Sequence, residues 1–177
     1  MKRWFALPIL LLAAACSSGT PEPVSQAPVV PPAQRSMALS ADYLLVDKSD
    51  RTLTVFQQGR PVKVYGAIQF GDVPLGHKQF EGDERTPEGL YTIDTRNPQS
   101  SYHLSLRISY PNAQDRAHAA RYGRSPGGNI FIHGQPNGYR GPTLTGDWTD
   151  GCIALTNAEI EELWRIVPDG TPIEIRQ

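Results

Sequence analysis

From residue 42 onward the apolar positions come in short runs, several of them alternating with polar residues and separated by turn residues, a pattern of half-buried strands. Tyr43 to Val46 and Thr52 to Phe56 read as two strands, the second alternating through Leu53 and Val55, and the turn Lys48-Ser49-Asp50-Arg51 joins them as a hairpin. A strand around Val62 to Gln69 follows the Gln58-Gly59 turn, and Leu90 to Asp94 and His103 to Ser109 supply two more, the latter ended by Pro111-Asn112. The polar stretch Ala113 to Tyr122 predicts a short helix, and Gly123 to Asn129 breaks the chain before the apolar run Ile130-Phe131-Ile132. Ile153-Ala154-Leu155 is a further apolar run. Thr156-Asn157-Ala158-Glu159 then has the form of a capping box, in which threonine and glutamate satisfy each other's backbone donors at a helix start. Ile160, Leu163, Trp164 and Val167 fall on one face of that helix, with Trp164 expected in the core, and Pro168-Asp169-Gly170 turns into a last strand, Pro172 to Ile175. The expected architecture is mainly β with a few short helices, and no repeat or heptad is present.

The first forty residues follow a different logic. Lys2 and Arg3 precede an apolar stretch from Trp4 to Ala15 that is too short for the roughly twenty residues of a membrane span, and small residues lead into Cys16. This looks like a bacterial lipoprotein signal, which makes Cys16 the lipidated first residue of the mature chain, with Ser17 after it resembling the pattern sorted to the outer membrane. Pro21, Pro23, Pro28, Pro31 and Pro32 then stand among Ser, Ala, Gln and Thr, a composition that cannot bury enough apolar surface to fold. At about 3 Å per residue, such a linker would carry the domain some tens of ångströms from a membrane. The expected division is a signal over 1–15, a lipidated linker over 16–41 and one domain over 42–177, in the periplasm of a Gram-negative bacterium.

Removing Lys2 and Arg3 with the signal leaves 15 basic against 18 acidic residues, a net charge of −3. No basic run interleaves with aromatic residues, so nucleic acid is not an expected partner. Of two cysteines, Cys16 is committed to lipid and Cys152 alone remains, so the mature chain has no internal disulfide in an oxidising compartment. A lone thiol kept there calls for a reason.

His133 supplies one. It ends the Ile130 run, Gly134 allows a sharp turn after it, and a segment rich in Gly, Pro, Asn and Thr returns the chain to Gly151-Cys152, so that histidine and cysteine face each other. A thiol of pKa about 8.5 is only a few per cent nucleophile at neutral pH, and an imidazole beside it can take the proton during attack and return it to a leaving amine. The amides of Gly151 and Cys152 are natural donors for an oxyanion. No third side chain is obliged to orient His133: Asp147 and Asp150 are near in sequence, but a backbone carbonyl would serve as well. A zinc site using Cys152, His133 and a carboxylate or His118 is the other chemical reading, although no close ligand pair such as CxxC or HxxxH supports it. Packing is the bland alternative for Cys152, and a binding module without turnover the bland alternative for the domain.

His133-Gly134, a loop, and Thr149-Asp150-Gly151-Cys152, with the histidine and cysteine 19 positions apart, resemble the signature of the L,D-transpeptidase catalytic domains of the YkuD type. GDERTPEGLYTI, from Gly82 to Ile93, and the RISYPN run ending at Asn112 resemble that family's other segments, over nearly all of Asp42 to Arg176. The resemblance implies a β sandwich or barrel-like fold and a Cys152 nucleophile with His133 as base. It implies no cofactor or metal, and stem peptides of peptidoglycan as substrate. Cys152 would attack the carbonyl after meso-diaminopimelate, release D-Ala and pass the acyl group to an amine, either another diaminopimelate or a lysine of a lipoprotein. Water as acceptor would make the same residues a hydrolase. Many members carry histidine before the Gly-Cys pair and arginine two residues after the cysteine, where this chain has Asp150 and Ala154. Ala154 puts the holding of a substrate carboxylate in question, and Arg107, with Arg85, Arg124 and Arg140, is a candidate for that task. Tyr139 and Trp148 on the intervening loop are candidates to pack substrate.

Overall fold

The structure is a computed structural model that describes Met1 and residues 38–177. The expectations for the signal, for Cys16 and for most of the linker lie outside the described residues. Contacts with the domain begin just before Asp42, because Ala41 is buried and its N–H donates to the Ile166 carbonyl (2.7 Å).

Eight strands and two helices follow one another as β1 Tyr43–Asp47, β2 Thr52–Gln57, β3 Arg60–Gly66, β4 Gly89–Ser100, β5 His103–Ile108, α1 Ala113–Arg121, β6 Phe131–His133, β7 Ile153–Ala154, α2 Asn157–Ile166 and β8 Pro172–Arg176. They form one sheet in the order β3-β2-β1-β8-β4-β5-β6-β7, so the mainly β expectation holds. Alternation explains the first hairpin. Leu44 and Val46 of β1 and Leu53 and Val55 of β2 are fully buried, and the residues between them are only partly buried. The last strand, β8, inserts parallel to β1 and antiparallel to β4, which brings Ile173 and Ile175 into the same core.

Two strands differ from the sequence expectation. β3 stops at Gly66 rather than running to Gln69, because Ala67 takes a left-handed φ of 54° that a strand cannot continue through. Gln69 instead forms an isolated bridge to Ala154. β4 runs on to Ser100 through a polar stretch in which the pairing with β5 slips between Asn97 and Ser100, where Pro98 sits. Lys48, expected as an ordinary turn residue, is 4% exposed, and its ammonium holds Glu88 (2.7 Å) and the Gly76 carbonyl (2.8 Å). The turn thereby anchors the long 67–88 segment that passes behind the site.

The capping box of α2 is present: Thr156 accepts from the Glu159 N–H and Glu159 from the Thr156 N–H. Ile160 and Leu163 are fully buried where α2 lies against β5 and β6, at about 1.5–3 kcal/mol for each such side chain. Trp164 packs only partly on the core, with Arg96 over its ring at 5.1 Å. Helix α2 starts five residues after Cys152 and so pins the β7 end of the sheet.

Candidate active site

Short strands β6 and β7 lie parallel at the edge of the sheet, with Ile132 opposite Ile153 and His133 opposite Ala154. Cys152 immediately precedes β7, so this register carries it to the neighbourhood of His133. Both line one cavity of about 590 Å³, together with Tyr102, Ser105, Asn129 and Trp148 among others. Ser105 stands directly opposite His133 on β5.

His133 is 3% exposed. Its Nδ1 lies 2.7 Å from the Gly134 carbonyl, which can only accept, so Nδ1 carries the hydrogen and Nε2 keeps its lone pair. The group that orients the imidazole is therefore a backbone carbonyl. Asp147 is engaged elsewhere, in a two-pronged pair with Arg51 (2.8 and 2.6 Å) and a bond from the Phe70 N–H (2.9 Å). Tyr102 and Trp148 pack on the imidazole, with ring centroids at 4.6 and 5.6 Å. Burial lowers the His133 pKa below its ordinary 6.5, against a smaller opposing pull from the Gly134 bond. The ring is consequently neutral at pH 7, as a base must be. Gly134 proves necessary for closeness rather than for a turn, since a Cβ there would lie 2.6 Å from Asn157 Oδ1.

The Cys152 thiol accepts the Phe131 N–H (3.4 Å) and is directed at the Asn129 carbonyl (3.6 Å) rather than at the imidazole. Burial pushes its pKa up to about 11, the Phe131 N–H opposes this, and the Asp150 carboxylate adds to the rise. The resting pair is thus thiol and imidazole, both neutral, and not an ion pair. A thiol in that state could act as a nucleophile only with loss of its proton. Alkylation of Cys152 should therefore climb with pH through neutrality and level only near 11, and Asp150→Asn should raise the rate at pH 8 by roughly two- to fivefold. A rate already on its plateau at pH 7 would contradict a neutral resting pair.

Thr149 closes the turn before the cysteine, its Oγ1 accepting the Gly151 N–H (3.2 Å) and donating to the Cys152 carbonyl (2.8 Å). The Gly151 amide, expected with that of Cys152 as an oxyanion donor, is thus bonded to Thr149 in this structure. Of the two loop aromatics, Trp148 lines the cavity and Tyr139 does not: its hydroxyl donates to the Thr143 carbonyl (2.8 Å) and closes its own loop. None of Arg85, Arg107, Arg124 and Arg140 lines the cavity. Arg107 is held by Asp94 through two bonds (2.7 and 3.0 Å), and Arg124 stacks over Phe80 at 3.9 Å. His118 packs against Phe80 and Tyr122 beside α1, away from the thiol cavity.

Tyr102, Asn129 and Ser105 line the cavity, and the buried amides Gln69 and Gln135 lie behind it, Gln69 bonded to the Trp148 indole; sequence reasoning passed over all five. Gln135 follows His133-Gly134 directly, and a polar residue inside a glycine-flanked histidine element was the one available signal.

The family model described as the L,D-transpeptidase catalytic domain, YkuD, matches residues 41–175. YafK of Escherichia coli (strain K12) is 30% identical over 149 residues, which is 81% of this chain and 54% of that protein. The helical cell shape determining protein Pgp2 from Campylobacter jejuni superposes with a TM-score of 0.63 at 31% identity, over 79% of this chain and 49% of Pgp2. Bd1075 of Bdellovibrio bacteriovorus gives 0.56 at 29% identity, over 80% and 50% respectively. The chain spans about half the length of these relatives.

Proposed function

Since the chain belongs to the YkuD family of L,D-transpeptidase catalytic domains, we propose that it is a cysteine acyl-transfer enzyme of peptidoglycan, acting in cell-wall remodelling. The observation that carries this reading is the shared cavity of Cys152 and a buried His133 whose Nδ1 is tied to a carbonyl, leaving Nε2 free to take the thiol proton. Sγ attacks the carbonyl after meso-diaminopimelate in a tetrapeptide stem as its proton passes to His133, and the Cys152 amide faces the oxyanion. The C–N bond then breaks, the imidazolium returns the proton to the departing D-Ala amine, and the stem remains as a thioester. An amine, from a second diaminopimelate or a lipoprotein lysine, displaces the thiolate. The reading includes a periplasmic location with Cys16 lipidated and held in the outer membrane, which the leader and the Pro-rich linker support.

A second reading, hydrolysis at the same residues, is favoured by one observation. Among the described residues no arginine or lysine lines the cavity of Cys152, and Ala154 stands where many members carry arginine; Lys78, whose charge reaches the thiol, lines the adjoining cavity and is paired with Asp83 (2.8 Å), so a leaving group bearing a carboxylate meets no free cation there. An amide to a lysine side chain lacks that carboxylate and suits the cavity better.

Mass spectrometry of the products from tetrapeptide muropeptides and lipoprotein-linked peptidoglycan tests both readings. Cross-links with loss of D-Ala identify transfer, released lipoprotein or trimmed stems identify hydrolysis, and neither product from the wild type would refute an enzyme. For either reaction the acid limb of kcat/KM should lie below pH 6.5. His133 has a lowered pKa, so the neutral base persists on acidification and is lost only as pH falls through that lowered value. An acid limb at or above 6.5 would contradict a buried base.

A further inference from the structure

We propose that Gln69 is a positioning residue: its side-chain amide fixes Trp148 and, through that indole, holds the His133 imidazole in the attitude that serves Cys152. The inference rests on the acyl-transfer reading and adds a residue to it.

Gln69 is 7% exposed and lies outside the regular strands. Its amide has two N–H donors and an oxygen with two lone pairs, and all four are used. Nε2 donates to the carbonyls of Leu144 (2.6 Å) and Gly146 (2.5 Å), while Oε1 accepts from Trp148 Nε1 (3.0 Å) and from Gln135 Nε2 (3.3 Å). The partners fix the orientation of the amide, since a flip would set N–H against N–H and lone pair against carbonyl. A glutamate would lack the two donors, and an apolar residue would strand two carbonyls and an indole N–H.

These bonds reach both halves of the reacting pair. The backbone of Gln69 exchanges two hydrogen bonds with Ala154 (3.0 and 2.9 Å), two residues beyond Cys152. Gln135, two residues beyond His133, donates also to the Leu155 carbonyl (2.8 Å) and accepts the Leu144 N–H (2.8 Å). On the other side of the hub the indole is held by Nε1 and by its backbone N–H to Phe70 (3.2 Å). It then packs on His133 at 5.6 Å and on Tyr102 at 5.7 Å, and Tyr102 closes the box at 4.6 Å from the imidazole. The same enclosure is what keeps water from His133 and its pKa low.

The test compares Gln69→Met, which removes the hub at similar length, with Trp148→Phe, which keeps an aromatic ring at the position but loses the Nε1–H that Gln69 holds together with part of the indole face. Thermal melts establish that each variant folds. Nuclear magnetic resonance of ¹⁵N-histidine-labelled protein then reads the tautomer and titration of His133 without any turnover. The expected result is that His133 loses its single Nδ1–H tautomer and titrates closer to 6.5 in both variants, more in Gln69→Met. In Gln69→Met, whose side chain does not line the cavity, turnover should fall about tenfold in kcat with little change in KM, as expected of a misplaced base. Unchanged His133 tautomer and titration in folded Gln69→Met would overturn the proposal, and Trp148→Phe decides in the same way should the first variant not fold. The resonance readout stands apart from the reaction: altered His133 signals in a protein whose wild type shows no peptidoglycan activity would support the positioning and count against the proposed reaction alone.

Discussion

Replacing Cys152 by alanine should abolish formation of the thioester and with it every product, a loss on the order of 10⁴-fold or more in kcat/KM, while the domain stays folded. The thiol makes two long polar contacts, from the Phe131 N–H (3.4 Å) and toward the Asn129 carbonyl (3.6 Å), and both are weak to lose. The change in stability should therefore be about 1 kcal/mol or less. His133→Ala should lose about 10²–10⁴-fold, since attack must then proceed from the small thiolate fraction of a group whose pKa is about 11. The double variant should be no worse than Cys152→Ala, because the base has nothing left to serve. Product analysis and thermal melts on the three proteins check this, and substantial turnover in folded Cys152→Ala would end the covalent mechanism. Residual activity in His133→Ala that rises steeply with pH would instead fit it, since hydroxide then does the work of the imidazole.

That His133 and Cys152 would come to one cavity was legible from the elements around them. The strand ending at His133, the glycine before Cys152 and the capping box of α2 are local features, and local physics is what a sequence displays. The pairing of β1 with β8 is not local. Nothing in Tyr43–Asp47 announces a partner more than a hundred residues away, although the burial of Leu44 opposite Ile173 follows once the two are adjacent. Gln69 and Gln135 were illegible for a related reason. A polar residue in a loop reads as solvated, and only the fold shows that its neighbours are carbonyls and an indole with no water to turn to. The arginines misled in the opposite sense: Arg107 looked available and is spent on Asp94, whereas Arg51, counted as a turn residue, clamps Asp147 beside Trp148.

Gly151→Ala should be among the most damaging single changes to the fold around the site. Gly151 has φ of 120°, which side-chain-bearing residues rarely adopt, and a Cβ there would sit 2.4 Å from the Arg85 carbonyl oxygen and 3.4 Å from Ile130 Cδ1. The nearer obstacle is backbone and cannot swing aside. It belongs to the 67–88 segment, which meets the same wall at Gly71, where a Cβ would lie 2.0 Å from the Glu84 carbonyl. Relief requires moving either that segment or the turn that delivers Cys152. The expected cost is about 3 kcal/mol or more, a fall in Tm of roughly 10 °C, with Cys152 displaced from His133 and activity lost beyond what the melt explains. Gly138→Ala is the control, since Gly138 also has a left-handed φ, 86°, but has open space where the Cβ would go. It should cost about 1 kcal/mol from backbone strain alone. Equal losses in the two variants would mean that the close approach of Arg85 is not what holds the Gly-Cys element in place.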